Sequence, residues 1–229
     1  GNYQLLYVAP ERLLSGDFPQ KLAGWKVGAI AVDEAHCISE WGHDFRPDYL
    51  NIGRLRRELE NPPCLALTAT ATARVQADLC DRLSLQDPLR LVTGFRRSNL
   101  ALSVRLCRSR QEKLATLDRV VREYETGTIL IYCATRRAVE EVAACLGQSQ
   151  SFVGYYHAGL SDKERRKVHD EFRVGTVRIL AATNAFGMGI DKSDVRLVVH
   201  FDIPGSLEAY YQEVGRAGRD GRPAACLLL

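Results

Sequence analysis

Short apolar runs alternate with longer amphipathic stretches along the whole 229-residue chain. This alternation is typical of parallel strands joined by helices that cover both faces of the sheet. In the first part of the chain, the runs predict four strands, at Gln4–Val8, Val27–Val32, Cys64–Leu67 and Leu89–Val92. In the second part they predict six strands, at Leu102–Leu106, Thr128–Cys133, Phe152–Tyr156, Val177–Leu180, Leu197–Phe201 and Ala224–Leu229.

The apolar pattern is interrupted between Thr93 and Asn99, where Gly94 is followed by the basic pair Arg96-Arg97. An interruption of this kind is typical of a linker between domains. We therefore predict two α/β lobes, residues 1–97 and residues 98–229.

Signals for helix ends occur in the second lobe, at Ser109 with Glu112, at Ser161 with Glu164, and at Thr135 with Gly147. The first two pairs have the spacing of a capping box. The third pair places a preferred N-cap residue and a glycine at the two ends of a helix. A stripe of apolar residues follows the first signal, at Leu114, Leu117, Val121 and Tyr124.

The predicted strand at residues 27–32 ends in Asp33-Glu34-Ala35-His36. Because ligands bind at the carboxyl ends of parallel strands, these two carboxylates can face a nucleotide. Phosphoryl transfer needs an oxygen ligand for Mg²⁺ and a group that positions the attacking water. We predict that Asp33 binds the metal, directly or through water, and that Glu34 positions the water. A turn that merely caps the next helix is the alternative.

A loop with interleaved aromatic and charged residues follows, from Cys37 to Tyr49. Its Trp, Phe and Tyr residues have neither strand nor helix periodicity, which favours a loop that exposes aromatic faces to nucleic-acid bases. A loop anchored by buried aromatics is the alternative. The hydroxyl-rich segment Thr68–Thr72 follows the next strand. Its hydroxyl groups can transmit a change in hydrogen bonding from the nucleotide to the other lobe, and a helix N-cap is the alternative.

Two further segments can meet phosphate groups. Pro10 suits the first position of a helix, whose N–H groups can bind a phosphate, although plain helix initiation explains it equally well. After a second-lobe strand, Thr183 can contact a nucleic-acid phosphate, and Asp191 can bind a ribose hydroxyl or position an arginine finger. An ordinary strand-to-helix turn is the alternative for this segment.

The segment from Tyr210 to Gly221 contains an amide and two guanidinium groups. If it is helical, Gln212, Arg216 and Arg219 share one face. Gly215 and Gly218 would weaken such a helix unless something approaches the backbone closely. An arginine finger on the γ-phosphate accounts for both features, and a solvated arginine face with loop-forming glycines is the alternative.

Composition adds little to this picture. A net charge of +3 does not by itself indicate nucleic acid, and the seven dispersed cysteines lack zinc-site spacing and are expected to be reduced core residues. No apolar run is long enough to span a bilayer, and the first residues do not resemble a signal peptide. We therefore expect an intracellular protein that binds neither zinc nor membrane.

Together and in this order, these segments resemble the RecQ family of superfamily-two DNA helicases over essentially the whole chain. Residues 33–36 resemble the Walker B box, residues 39–49 the aromatic-rich loop, residues 67–72 motif III, and residues 127–135, 181–191 and 212–219 motifs IV, V and VI. The aromatic-rich loop distinguishes this family from other DEAH-type helicases.

The resemblance implies two RecA-like lobes with parallel sheets flanked by helices, the first of them incomplete. It also implies ATP and Mg²⁺ as cofactors, single-stranded DNA and duplex junctions as partners, and 3′ to 5′ movement. His36 and Gln212 would join Asp33, Glu34, Arg216 and Arg219 in catalysis, and Asp191 would help to bind ATP. The DNA-binding residues would be Pro10, Trp41, His43, Phe45, Arg46 and Thr183.

The sequence departs from the family pattern in three respects. It contains no G-x-x-x-x-G-K-[ST] loop, it ends before the family's zinc-binding and winged-helix modules, and it has Ser98 where proline is expected. We expect a truncated motor, inactive as an ATPase by itself, from a protein of the bacterial nucleoid or eukaryotic nucleus. An RNA helicase and a non-catalytic nucleic-acid-binding module are the alternatives.

Overall fold

The computed structural model describes residues 4–42, 44–94, 96–187 and 192–229. Contacts divide the chain into two compact units, Gly1–Thr93 and Gly94–Leu229, each with its own hydrophobic core. The lobe boundary expected after residue 97 stays a prediction, and Arg97 itself donates hydrogen bonds to carbonyl groups of the second unit.

The first unit contains a small parallel sheet and three α-helices within the described residues. In chain order these are α1 (Phe18–Ala23), β1 (Ile30–Val32), α2 (Leu50–Glu58), β2 (Cys64–Ala66) and α3 (Ala73–Arg82). Short 3-10 helices cover Pro10–Arg12, Ala35–Ile38 and Pro47–Tyr49. Ile30 pairs with Cys64 and Val32 with Ala66, and the helices bury Leu55 and Leu79 in the core beside this sheet.

Two of the four strands predicted in this unit do not form. The segments Gln4–Val8 and Leu89–Val92 have no strand pairing, and their side chains are exposed except for the partly buried Val8, with Tyr7 at 89% and Leu89 at 85%. An apolar run becomes a strand only where a neighbouring strand completes its backbone hydrogen bonds. The described residues provide no such neighbour for either run, so these two predictions are wrong.

The second unit contains all six predicted strands, with ends shifted by up to two residues. In chain order the elements are β3 (Leu100–Val104), α4 (Arg110–Arg122), β4 (Thr128–Tyr132), α5 (Arg136–Gly147), β5 (Val153–Tyr156), α6 (Asp162–Val174), β6 (Ile179–Ala182), β7 (Val195–His200), α7 (Leu207–Val214) and β8 (Ala224–Leu228). The described strands form one parallel sheet in the order β3-β8-β7-β4-β6-β5.

Both faces of this sheet are buried, as its apolar strands predict. Ile129 and Ile131 of β4 pack with α4 and α5, whereas Leu130 and Tyr132 face the opposite cluster, which contains Phe172 of α6. The alternation follows from the two-residue period of a strand. Because both clusters are apolar and buried, this sheet is a rigid support for the polar turns at its edge.

The helix-start signals are confirmed, and Gly147 lies at the end of α5 as predicted. Ser109, Thr135 and Ser161 each accept a hydrogen bond from a backbone N–H in the first turn of α4, α5 and α6. The reciprocal capping box is complete only at Ser161, since the Glu112 carboxylate accepts from the Arg108 N–H instead. Gly147 is the last residue of α5, and the chain continues in right-handed conformation through Gln148, so no left-handed glycine is needed.

None of the described helices is both long and apolar enough to cross a membrane.

Candidate functional site

The carboxylates of Asp33 and Glu34 leave the sheet of the first unit at the carboxyl end of β1. Glu34 has φ 48° and ψ 41°, a left-handed conformation that is uncommon for residues with a side chain. Its N–H donates to Oδ1 of Asp33 at 2.9 Å. No side-chain cap from Glu34 supports the described 3-10 helix that follows, so the simple capping-turn alternative is not favoured.

His36 connects this carboxylate turn to the hydroxyl-rich segment after β2. Its ring is 2% exposed, and Nδ1 lies 2.9 Å from Oγ1 of Thr68 and 3.4 Å from Oε2 of Glu34. The tautomer of the imidazole decides whether Nδ1 donates to these oxygens or accepts. Thr68 Oγ1 also donates to the Thr70 carbonyl, while Thr72 caps α3. The N-cap interpretation of residues 68–72 is therefore confirmed at Thr72. Thr68 contacts His36 in the carboxylate turn, and its role in transmitting nucleotide binding stays a prediction.

The aromatic-rich loop is packed directly against the carboxylate turn. The Arg46 N–H donates to the Cys37 carbonyl at 2.9 Å, and the Gly42 N–H donates to the Ser39 carbonyl at 2.9 Å. A Cβ at Gly42 would lie only 2.4 Å from the His36 carbonyl oxygen, so glycine is required for this close approach. The loop backbone at Gly42 therefore lies directly beside the backbone of His36.

The aromatic side chains of the loop differ in exposure. Trp41 is 57% exposed, whereas Phe45 and Tyr49 are partly buried, and Tyr49 packs against the core of the unit. The guanidinium of Arg46 pairs with the Asp44 carboxylate at 2.7 Å. Trp41 thus fits the interpretation of an exposed stacking face, and Tyr49 fits that of an anchor. His43 lies outside the described residues.

Burial controls the titration of the polar groups beneath the loop. Burial, and then the negative charge of Asp44, raises the pKa of the Cys37 thiol to about 12. Burial also raises the pKa of Tyr49. Cys37 is therefore a protonated core thiol at neutral pH and not a nucleophile.

The arginines of the second unit do not lie on one helical face, so that prediction is wrong. Helix α7 ends at Val214, and Arg216 and Arg219 follow in turns. Gly218 has φ +56°, and a Cβ there would lie 2.5 Å from the amide nitrogen of Asn99. Another group does approach Gly218 closely, as expected, but it belongs to the same chain. The side chains of Asn99 and Arg97 donate hydrogen bonds to the Gly218 carbonyl.

Arg216 lies against two other segments of the second unit. One of its terminal nitrogens would be 3.1 Å from a Cβ at Gly187, and its positive charge acts on the buried hydroxyl of Tyr132. Burial raises the pKa of Tyr132, and the charge of Arg216 offsets only part of that effect. Tyr132 also donates to the Phe186 carbonyl at 3.3 Å. The guanidinium therefore lies near groups that are far from it in sequence.

A buried acid and histidine pair joins α7 to the sheet. Nε2 of His200, at the end of β7, lies 2.8 Å from Oε2 of Glu213, and the His200 ring is fully buried. The ring stacks on Tyr132 at 5.6 Å between centroids and contacts Tyr210 at 4.9 Å. This pair lies one helical turn before Arg216 and attaches the end of α7 to the sheet.

The remaining predicted site residues are placed as follows. Pro10 begins the 3-10 helix Pro10–Arg12 and is partly exposed, which matches the expected helix start. Thr183 is buried at the end of β6, and its N–H donates to the Tyr156 carbonyl. Gln212 is partly buried on α7. Asp191 lies outside the described residues. The roles assigned to all of these residues stay predictions.

Sequence reasoning missed several polar residues that support the two sites. They are Arg74 and Asp78 on α3, and Tyr132, His200 and Glu213 in the second unit. A histidine that follows a run of three apolar strand residues, and an acidic residue on the buried side of a helix, are signals that would have identified His200 and Glu213. Nothing local marks Arg74, because its partner lies in another segment.

Two helicase families match the chain. Residues 1–79 match the family described as DEAD/DEAH box helicase, and residues 112–221 match the helicase conserved C-terminal domain. Among solved structures, the helicase Lhr of Mycobacterium smegmatis, bound to single-stranded DNA and AMP-PNP, has a TM-score of 0.75 at 22% identity, over 96% of this chain and 31% of Lhr. Dbp5 of S. cerevisiae, bound to RNA and ADP BeF3, has a TM-score of 0.73 at 22% identity, over 92% of this chain and 57% of Dbp5. At such identity these likenesses show the fold alone, a RecA-like helicase fold.

Curated relatives are much more similar in sequence. The chain is 45% identical to the ATP-dependent DNA helicase RecQ of Bacillus subtilis, over 100% of this chain and 38% of that protein. It is 42% identical to RecQ of Haemophilus influenzae, over 100% of this chain and 36% of that protein. The chain thus spans less than half the length of these relatives. From the matches across both units, the chain belongs to the RecQ family of ATP-dependent DNA helicases.

Proposed function

We propose that this chain is the motor segment of a helicase that uses ATP to move 3′ to 5′ along single-stranded DNA and to unwind the duplex ahead. One observation carries the proposal: the loop that exposes Trp41 is packed on the backbone of His36, next to the Asp33 and Glu34 carboxylates. A DNA contact and a hydrolytic group are therefore separated by only a few bonded residues.

The carboxylate turn has the chemistry required for nucleotide hydrolysis. Mg²⁺ neutralises charge on phosphate oxygens when it is bound, and the exposed Asp33 carboxylate at a strand end is a suitable ligand for it. Glu34 accepts a hydrogen bond from, and so orients, the attacking water. The strained backbone at Glu34 holds this carboxylate in a direction that an ordinary turn would not provide.

Arg216 and Arg219 are proposed to stabilise the charge that develops on the γ-phosphate. Arg216 lies close to Gly187 and acts electrostatically on Tyr132, and Arg219 is exposed nearby in sequence. Gln212 precedes them on α7, and Asp191 is proposed to assist in binding the nucleotide. Fixed guanidinium forks stabilise a transferring phosphoryl group better than mobile ones, because no reorganisation is needed during the reaction.

Contacts with DNA are proposed to begin at the aromatic-rich loop. A base that stacks on Trp41 gains ~1 to 3 kcal/mol without regard to sequence, which suits an enzyme that translocates. Phe45, Arg46 and His43 belong to the same loop, and Pro10 and Thr183 are proposed to contact the DNA backbone. A base on Trp41 would shift the loop, then His36, and so the Thr68 and Glu34 groups that His36 contacts.

The experiment uses a longer chain that carries this segment together with a G-x-x-x-x-G-K-[ST] loop. We expect single-stranded DNA to stimulate its ATPase activity strongly and single-stranded RNA to have little effect. Duplexes with a 3′ tail and forked junctions should be unwound, whereas duplexes with only a 5′ tail should not. Equal stimulation by RNA would replace this proposal with an RNA helicase. DNA binding without hydrolysis would replace it with a non-catalytic module.

A motor that acts on chromosomal DNA is proposed to work in the nucleoid of a bacterium or in the nucleus of a eukaryote. Fluorescent fusions that coincide with stained DNA would support this location, and exclusion from the DNA would contradict it.

A further inference from the structure

Helix α3 carries a stripe of charged residues that faces the aromatic-rich loop. Arg74, Asp78 and Arg82 recur every four residues and therefore lie on one side of the helix. Three consecutive loop residues, at positions 39–41, each interact with one member of this stripe. Such a one-to-one match between a helix face and a loop indicates that the two elements are held in a defined orientation.

The C-terminal part of the stripe makes polar contacts with the loop. Asp78 accepts a hydrogen bond from Nε of Arg82 at 2.8 Å, and a terminal nitrogen of Arg82 lies 3.4 Å from the Glu40 carboxylate. Burial alone would raise the pKa of Asp78, but hydrogen bonds from Ser39 and Arg82 and the charge of Arg82 lower it. Asp78 is therefore an ionised anchor between the helix and the start of the loop.

The N-terminal member of the stripe stacks on the exposed aromatic ring. The guanidinium carbon of Arg74 lies 3.2 Å from the centroid of the Trp41 ring, well within the range of a cation–π contact. Trp41 nevertheless remains 57% exposed. A planar guanidinium at this distance covers one face of the indole. The exposed fraction shows that much of the rest of the ring stays open to a stacking partner.

We propose that Arg74 is a positioning residue that supports one face of Trp41 and holds the ring ready to stack on a DNA base, while Asp78 and Arg82 hold the loop to α3. The inference rests on the proposed function, since it takes a base as the partner of Trp41. Without Arg74, an exposed indole would sample several rotamers and would lose more conformational entropy on binding.

This arrangement also gives the loop a second connection to the carboxylate turn. Helix α3 begins at its cap Thr72, at the end of the segment whose Thr68 contacts His36. A base that moves Trp41 would therefore act on His36 from two sides, through the loop backbone at Gly42 and through α3.

The test uses the 229-residue chain with Trp25→Phe, because Trp25 and Trp41 are its only two tryptophans. The emission anisotropy of Trp41 and its quenching by acrylamide report how tightly the ring is held. Titration with oligothymidylate reports DNA binding at the same ring. The variants are Arg74→Ala, Arg74→Lys and the matched control Arg54→Ala, whose arginine is exposed and pairs within α2.

We expect Arg74→Ala to lower the anisotropy of Trp41, to increase its quenching, and to weaken oligothymidylate binding about two- to fivefold, as loss of one exposed cation–π contact implies. Arg74→Lys should restore part of each effect, because an ammonium also binds an aromatic face. Arg54→Ala should match the unsubstituted protein, and the melting temperature should change little in all three variants.

Two results would overturn the inference. Tighter oligothymidylate binding by Arg74→Ala would mean that Arg74 competes with the base, and unchanged anisotropy would mean that it does not hold the ring. A separate Trp41→Ala variant isolates the proposed function. Its oligothymidylate affinity is measured by the fluorescence polarisation of a labelled strand. If this affinity equals that of the unsubstituted protein, DNA bases do not stack on Trp41 and the proposed function is contradicted. The anisotropy of Trp41 still decides separately whether Arg74 holds the ring.

Discussion

The pair formed by His200 and Glu213 provides a quantitative test of how α7 is held to the sheet. The two side chains are buried and 2.8 Å apart, so replacing either one leaves the other buried without its partner. Breaking a buried pair of this kind costs about 3 to 5 kcal/mol if both groups are charged, and about 1 to 3 kcal/mol if the bond is neutral. We therefore expect Glu213→Leu to lower the free energy of unfolding by at least ~1 kcal/mol.

A double-mutant cycle separates this interaction from general loss of packing. Glu213→Leu, His200→Leu and the double variant would be unfolded in urea and followed by circular dichroism. Because each single change leaves one buried polar group without its partner and the double change removes both, the double variant should lose less than the sum, by ~0.5 to 3 kcal/mol. Glu208→Leu, in the first turn of the same helix, is the control and should have little effect.

The reasoning would be refuted if the two single changes were additive within about 0.5 kcal/mol, because contacting groups are expected to couple. It would equally be refuted if Glu208→Leu and Glu213→Leu had the same effect on unfolding.

Four further predictions follow from the two sites. Trp41→Ala should lower the free energy of unfolding by less than ~1 kcal/mol, because it removes an exposed ring and one cation–π contact. Removal of a buried aromatic side chain would lower it by ~3 to 5 kcal/mol, and thermal melting distinguishes the two cases. In the longer chain that carries the phosphate-binding loop, Glu34→Gln should retain ATP binding and lose turnover, and turnover at the unsubstituted rate would disprove its role. Arg216→Lys and Arg219→Lys, compared in the same chain, should lower ATPase activity much more than DNA affinity, because lysine lacks the guanidinium fork. The pKa of Asp78 is lowered in the folded protein, so its ionised carboxylate stabilises the fold above the unfolded pKa of ~3.9, and this stabilisation is lost as pH falls through the folded pKa. Asp78→Asn should therefore lower the free energy of unfolding at pH 7 and change it much less in strong acid. Urea unfolding at both pH values measures the difference.

The carboxylate turn illustrates how local strain and function coincide in this chain. Glu34 is one of a small number of described residues other than glycine with positive φ. A left-handed residue of this type is retained when the surrounding contacts determine it, here the bond to Asp33 and the proximity of His36. Gly42 then allows the aromatic-rich loop to close over the same turn.

Much of the second unit could be predicted from the sequence, because its signals are local. Capping residues such as Ser161 satisfy N–H groups three positions away, and continuous apolar runs suffice to identify strands that are buried on both faces. The order of Asp33, Trp41 and Arg216 along the chain likewise sufficed to identify the family, which the comparisons confirm.

Tertiary contacts decided what local signals cannot contain. The runs at Gln4–Val8 and Leu89–Val92 have strand composition, but a strand exists only if another segment pairs with it. Helix α7 ends before Arg216, and the turn that follows is held by Asn99 and Arg97, more than a hundred residues earlier. The stacking of Arg74 on Trp41 joins two segments in the same way. Sequence determined the residue types and their local conformations, whereas the directions of the functional side chains were decided by partners distant in the chain, because only folding brings those partners within bonding distance.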